Sequence, residues 1–329
     1  MTQECLLSVE GLKTYFFTRA GVVKAVDGVS FSVNRGEALG IAGESGCGKS
    51  VTCLSILRLV PQPAGRIVAG KILFQGEDLL AKKEREMRQW RGKHIAMILQ
   101  DPLMSLNPVY SIGSQVSESF RLDGGKTTRT VITQKVIEVL KRVKIPSAER
   151  RLSDYPFQFS GGMRQRTAAA IAIARQPRLL IADEPTTSLD VTIQDQFLRL
   201  LKEMQQQTSM GLILVTHDLS IVAENCDRIA IMYAGRIVES GDVKRVYEKP
   251  VHPYTEALMQ ALPKLGGRRK RLYQIDGEPP NLLDLPAGCS FWPRCPKAMD
   301  ICRVEYPPVM PVNSGGYAAC WLLTKETMR

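Results

Sequence analysis

Gly43-Glu44-Ser45-Gly46-Cys47-Gly48-Lys49-Ser50 stands between the apolar run Ala38-Leu39-Gly40-Ile41-Ala42 and the helix-compatible stretch Val51 to Val60. The order is strand, glycine turn, helix start. Three glycines let the backbone curl with its N–H groups turned inward, so the turn and the helix N-terminus that follows it form a positive cup for phosphate oxygens. Lys49 adds a point charge for β- and γ-phosphates, and Ser50 offers a hydroxyl to Mg²⁺. The competing reading is an ordinary glycine turn, and the strand–turn–helix setting weighs against it.

Outward from this stretch, composition sets the class. The chain has 329 residues, enough for one large core plus an appendage or for two modest domains; 44% are hydrophobic, 23% charged and 6% aromatic, as in globular α/β proteins. No apolar run approaches the roughly 18 residues that a membrane helix needs. The start, Met1-Thr2-Gln3-Glu4, lacks the basic and apolar regions of a signal peptide, so a cytoplasmic chain is expected. The net charge of +11 fits nucleic acid, anionic lipid or a nucleotide. The one dense basic cluster, Arg268-Arg269-Lys270-Arg271, lacks interleaved aromatics and reads as a solvated linker, so no nucleic-acid partner is expected. Eight cysteines in a cytosolic chain point to free thiols or a metal site rather than disulfides.

Taken in order, Tyr15-Phe16-Phe17 could stack on a purine or belong to the core of an edge strand, and Val22 to Val33 reads as further short strands. Ile95 to Leu99 is a buried strand ending at Gln100, at the strand end where open parallel sheets bind ligands. Residues 103 to 158 read as mainly helical, with Val131 to Val143 the clearest case and a loop at Gly124-Gly125. Ser160-Gly161-Gly162 then forms a polar turn leading into an alanine-rich helix, Thr167 to Arg175, suited to a second anion contact. Leu179 to Ala182 is an apolar strand ending in Asp183-Glu184; in a phosphate site the first acid can hold Mg²⁺ and the second can orient or deprotonate water, whereas elsewhere such acids cap a helix. Another core strand, Leu212 to Val215, ends near His217, and Ile229 to Met232 with Arg236 to Glu239 makes a hairpin.

Together Gly43 to Ser50, Gln100, Ser160 to Gln165, Leu179 to Glu184, Ser188 to Asp190 and His217 resemble, in order and spacing, the ATP-binding-cassette (ABC) ATPases over about residues 5 to 245. The resemblance implies an α/β, P-loop (RecA-like) nucleotide-binding domain at 1–248, with an antiparallel β subdomain and a helical subdomain at 103–176. It implies ATP and Mg²⁺ bound by Gly43, Glu44, Ser45, Gly46, Cys47, Gly48, Lys49, Ser50 and Val51. Gln100 and Asp183 join Ser50 at Mg²⁺, Glu184 is the general base, and Gln100 and His217 sense the γ-phosphate. Ser160, Gly161 and Gly162 would act on the nucleotide of a partner cassette, and Phe16, with Tyr15 as fallback, would stack on adenine. Phe159 and Met163 depart from the leucine and glutamine commonest in the family, but the Ser-Gly-Gly core is intact. With Cys47 beside the nucleotide, its alkylation is expected to block hydrolysis and ATP to protect.

The last 80 or so residues differ in kind. Eleven of the 19 prolines and four of the eight cysteines lie from Pro250 onward, which reads as a loop-rich extension at 249–329. Lys249-Pro250-Val251-His252-Pro253-Tyr254-Thr255, Gly288-Cys289, Arg294-Cys295-Pro296 and Cys302 resemble the C-terminal region of dipeptide, oligopeptide and nickel importer ATPases. Cys289, Cys295, Cys302 and Cys320 supply enough thiolates for tetrahedral zinc or an iron–sulfur cluster, with unligated buried thiols the third reading. The resemblance favours a [4Fe–4S] cluster. It further implies a peripheral subunit on the cytoplasmic face of the membrane, driving import of di- or oligopeptides. Its partners would be two integral-membrane permeases, a second homologous ATPase in a heterodimer and an extracytoplasmic binding protein. Nickel chelates and glutathione-like cargo are the alternatives, and a soluble cassette ATPase of DNA repair or translation is the rival from another class.

Overall fold

The computed structural model describes residues 4–101, 105–122, 128–187, 189–262, 274–312 and 315–327; Arg268 to Arg271, Gly124-Gly125 and Ser188 lie outside the described residues. Where several short strands were expected near the N-terminus, two long ones form, β1 (Cys5–Thr18) and β2 (Gly21–Asn34). β3 (Ala38–Ala42) is buried at every position, the mark of a strand covered on both faces. α1 (Lys49–Ile56) is shorter than its apolar run, and Arg58 leaves helical geometry at φ 52°. β4 (Gly65–Phe74), β5 (Glu77–Asp78), α2 (Glu84–Trp90) and β6 (Ile95–Ile98) follow.

The helical layer begins with α3 (Ile112–Arg121) and α4 (Arg129–Arg142), where the hydroxyls of Ser111 and Thr128 accept from the N–H groups of Ser114 and Val131. Such caps satisfy donors that a helix start leaves orphaned. α5 (Gly161–Ile173) starts six residues before the expected Thr167: Ser160 caps it, so the two glycines are its first turn and not a loop ahead of it. Next come β7 (Leu179–Asp183), α6 (Val191–Thr208), β8 (Gly211–Thr216), α7 (Leu219–Asn225), β9 (Arg228–Tyr233), β10 (Arg236–Asp242) and α8 (Val243–Glu248). The C-terminal segment holds more regular structure than its prolines suggest, namely α9 (Pro253–Ala261), α10 (Ile301–Val304), β11 (Val309–Pro311), β12 (Tyr317–Ala319) and α11 (Leu322–Thr327).

The chain divides into two units. One comprises the N-terminal residues to Leu6, 34–37 and 82–213; the other comprises 7–33, 38–81 and 214 onward. In the first, β6 runs parallel to β7, from Ile95 beside Leu179 to Ile98 beside Ala182. α3, α4 and α5 pack on one another, and α5 also packs on β6 and α6. In the second, β4 is antiparallel to β1 and β5 in a sheet of order β2-β1-β4-β5. Its other strands take the order β11-β12-β10-β9-β3-β8, with β3 parallel to β9, and β9–β10 and β10–β12 antiparallel.

The core of this second unit does not stop at residue 248. Tyr233, Tyr254 and Phe291 are fully buried, with ring centroids 4.5 Å (Tyr233–Tyr254) and 5.3 Å (Tyr233–Phe291, Tyr254–Phe291) apart. Each such ring contributes about 2–3 kcal/mol by leaving water, and each favourable pair about 1 more. The C-terminal segment and the strand before it therefore share one apolar nucleus. Among the described residues no helix is long and apolar enough to cross a membrane.

Candidate active site

In the second unit the turn after β3 has the shape its sequence predicts. Gly48 sits at φ 103° as the residue before α1, and a Cβ there would fall 2.1 Å from the Ala25 carbonyl oxygen. Gly235 N–H donates to the Cys47 carbonyl at 2.9 Å, and Asp27 N–H to that of Gly235 at 2.8 Å, so β2 and the β9–β10 turn seat the loop. Lys49 is 4% exposed, and its ammonium donates to the carbonyls of Gly43 at 2.9 Å and Glu44 at 3.0 Å. A buried cation held over a ring of backbone at a helix N-terminus suits a polyanion, so the residues present fit a nucleotide's phosphates.

Glu44 has partners that no local spacing announces. Its N–H donates to the Tyr254 hydroxyl at 3.0 Å, and its carboxylate accepts both arms of Arg294, at 2.7 and 3.0 Å. The Arg294 side chain is 5% exposed, and a fork of this kind is worth roughly 1.5–3 kcal/mol. The Tyr254 hydroxyl is held protonated, its pKa pushed well above the usual value by burial and then by the Glu44 charge. Tyr254 belongs to the quoted Pro253-Tyr254-Thr255 stretch and Arg294 precedes Cys295, yet only the folded chain assigns their roles.

In the first unit the parallel pairing of β6 with β7 brings Gln100 to the strand end that carries Asp183 and Glu184. Asp183 is 4% exposed, while Glu184 turns out of the strand at φ 44°. Gln100 Nε2 donates to Glu184 Oε2 at 3.0 Å, and Thr187 Oγ1 donates to the same oxygen at 3.3 Å. Thr187 is a member of this cluster that the sequence did not single out. Ser160 Oγ accepts from Met163 N–H at 3.3 Å, and Gly162 packs so tightly that a Cβ would lie 2.6 Å from Ile193 Cγ2. Ile193 N–H in turn donates to Asp190 at 3.0 Å, so α5 and α6 fix each other's first turns.

His217 follows β8 in the second unit and is exposed, directly before Asp218, which caps α7. Phe16 is half-buried, whereas the Tyr15 hydroxyl donates to Asp27 at 2.7 Å and Asp27 also accepts from Arg236 at 2.6 Å. Tyr15 is thus committed to an ion-pair cluster, which leaves Phe16 the better candidate for a stacked base.

Cys47 is 5% exposed, and burial pushes its thiol above the usual value although Lys49 pulls the other way. Since the thiolate is the reactive form, maleimide at neutral pH should label exposed Cys5 at least about tenfold faster than Cys47. Peptide mass spectrometry over time measures both rates, and equal rates would contradict a closed loop. Block of hydrolysis on alkylation accordingly requires long exposure.

Cys289, Cys295, Cys302 and Cys320 line one small cavity with His252, Trp292 and Trp321. Burial, and then the neighbouring cysteines, push Cys289 up to about 11; burial does the same to Cys320, up to about 12. Yet among the described residues no group of three or more His, Cys, Asp or Glu stands together as a metal site. The geometry as it stands lends the [4Fe–4S] expectation no support beyond the shared cavity. His252 is buried, its pKa pulled down to about 3 by desolvation, and the neutral ring accepts from Tyr254 N–H at 3.1 Å to start α9.

A phosphate loop after one parallel strand and an acidic pair after another place the chain in the class of P-loop nucleotide-hydrolysing ATPases. Comparison with known proteins narrows this. Residues 26–187 match the ABC transporter family, and residues 238–302 match the oligopeptide/dipeptide transporter C-terminal region. The chain is 48% identical to a protein of Sinorhizobium fredii named probable peptide ABC transporter ATP-binding protein, over 97% of this chain and 95% of that one. It is 47% identical to the dipeptide transport ATP-binding protein DppD of Escherichia coli, over 96% of each. The fold matches a dimeric ATP-binding cassette solved in a post-hydrolysis state with ADP and phosphate, at TM-score 0.65 and 22% identity, covering 72% of this chain and 99% of that one. The chain belongs to the ATP-binding subunits of the ABC transporter family, in the oligopeptide/dipeptide branch.

Proposed function

We propose that this chain is the ATP-hydrolysing motor of an importer for dipeptides or oligopeptides, with an ATPase domain at 1–248 and a C-terminal extension at 249–329. The observation that carries the cargo class is the near full-length identity with the dipeptide transport ATP-binding protein, joined to the matching C-terminal region. In this reading Lys49, Ser45, Gly46, Gly48 and the α1 N-terminus hold the β- and γ-phosphates, and Phe16 stacks on the base. Mg²⁺, held by Ser50 and Asp183 with Gln100, would neutralise charge on the phosphate oxygens. Glu184 takes a proton from the attacking water as its oxygen bonds to the γ-phosphorus and the bond to the ADP oxygen breaks. Gln100 and His217 report the γ-phosphate, and Ser160, Gly161 and Gly162 serve the nucleotide of a partner cassette.

The motor sits peripherally on the cytoplasmic face of the membrane and works on two permease subunits supplied by an extracytoplasmic binding protein, paired with a second, similar ATPase. Extraction in mild detergent from native cells, followed by mass spectrometry of everything retained, tests this. Two permeases, a second cassette and a peptide-loaded binding protein are expected; ribosomal or DNA-repair proteins in their place would overturn the importer reading, and a nickel chelate or glutathione-like molecule would overturn the peptide cargo alone.

The four cysteines of the extension are proposed to take a [4Fe–4S] cluster, a reading supported by four thiols on one cavity and by the resemblance. Anaerobically purified protein is expected to carry about four iron and four sulfide per chain. Iron-free, folded protein with four titratable thiols would sink it, and one zinc per chain would replace it.

A further inference from the structure

We infer that Arg294 and Tyr254 of the C-terminal extension are positioning residues for the phosphate loop, acting through Glu44; this rests on the reading of that loop as the ATP site. Glu44 is gripped at both ends, its N–H by the Tyr254 hydroxyl at 3.0 Å and its carboxylate by the guanidinium of Arg294 at 2.7 and 3.0 Å. Its carbonyl, in turn, accepts from the Lys49 ammonium at 3.0 Å. A shift of Glu44 therefore shifts the seat of the lysine that meets the phosphates.

The grip is itself rigid. Arg294 also donates to the carbonyl of Asp276 at 3.0 Å and to the Tyr233 hydroxyl at 3.3 Å, so its plane is fixed on two further sides. It closes the short helical turn Trp292–Arg294, whose Trp292 N–H donates to the Cys289 carbonyl at 3.0 Å. The turn that frames the cysteine cavity is thus the turn that holds the phosphate loop.

Charge supplies a second reason. Glu44 places a carboxylate in a loop that must receive the polyanionic phosphates of ATP, and like charges a few ångströms apart repel strongly where water is scarce. Arg294 cancels that charge. Its removal leaves Glu44 both untethered and unneutralised, which disfavours ATP in the ground state and the transition state alike. Such uniform loss appears in KM and not in kcat.

The test uses the full purified chain, with MgATP binding followed by calorimetry, hydrolysis by phosphate release and folding by thermal melting. Arg294→Gln should raise Kd and KM for MgATP about tenfold with kcat within about twofold, and Glu44→Gln in the same chain should recover most of the lost affinity. Tyr254→Phe, which removes only the hydroxyl, should raise Kd about threefold. A melting point lowered with Kd unchanged would make Arg294 structural and overturn the inference. Equal losses in Arg294→Gln with and without Glu44→Gln would overturn the charge argument and assign the whole loss to the tether. If Arg294→Gln does not fold, unchanged Kd in both Arg294→Lys and Tyr254→Phe overturns the inference. Wild-type chain that fails to bind MgATP overturns the ATP-site reading as well, whereas wild-type binding with indifferent variants overturns this inference alone.

Discussion

Glu184→Gln is expected to slow ATP hydrolysis by about 10²- to 10⁴-fold, the usual contribution of a positioned general base, while MgATP binding stays near wild type. The substitution is well suited to separating chemistry from structure. In the native chain Glu184 Oε2 accepts from Gln100 at 3.0 Å and from Thr187 at 3.3 Å, and an amide oxygen in the same place can accept both. Shape and partners survive; what disappears is a carboxylate able to take a proton from water. Glu184 also stands at φ 44°, a left-handed conformation that costs a non-glycine residue about 1–2 kcal/mol and persists only where its surroundings impose it. Gln bears the same cost, so the melting temperature should move little. Hydrolysis that continues at the wild-type rate in this variant would remove Glu184 from the chemistry and shift the base to another group.

The sequence made the two strand–turn motifs legible because each is written locally. The buried run Ala38–Ala42 followed by glycines, and Leu179–Asp183 followed by Glu184, state both the strand and what stands at its end. Local reading failed where a distant partner decides. The glycines after Ser160 read as a break, but Gly162 is helical because only glycine lets α5 approach Ile193 of α6. β11 and β12 are three residues each, too short to show a period, and exist because β10 offers Glu239 and Ser240 as ladder partners to Ala318 and Tyr317. The Arg294–Glu44 pair spans 250 residues, a distance at which no spacing rule operates. Tyr15 shows the reverse lesson. Its ring stands as the fallback to Phe16 for stacking in the sequence, and the bond to Asp27 ties it down.

Gly48→Ala should be a strongly damaging single-methyl change, lowering stability by roughly 2–5 kcal/mol and weakening MgATP binding by more than about 100-fold. Two independent effects combine. At φ 103° an L side chain is strained whatever space it has, and here there is none, since the added Cβ would lie 2.1 Å from the Ala25 carbonyl oxygen and 2.9 Å from Met232 Cε. The methionine end can swing aside, but Ala25 belongs to β2 and its backbone is held in the sheet. The loop must therefore lift off β2, carrying with it the first turn of α1 and Lys49, whose N–H groups and ammonium form the phosphate cup. Gly46→Ala is the internal control: it has φ 77° but nothing within 4 Å of the new carbon, so only conformational strain remains, about 1–2 kcal/mol. Thermal melts with and without MgATP measure both variants. A ligand-induced shift that survives in Gly48→Ala at wild-type size would mean that the loop tolerates lifting from Ala25. Phosphate binding would then depend on the flexible Lys49 ammonium and not on the seated backbone.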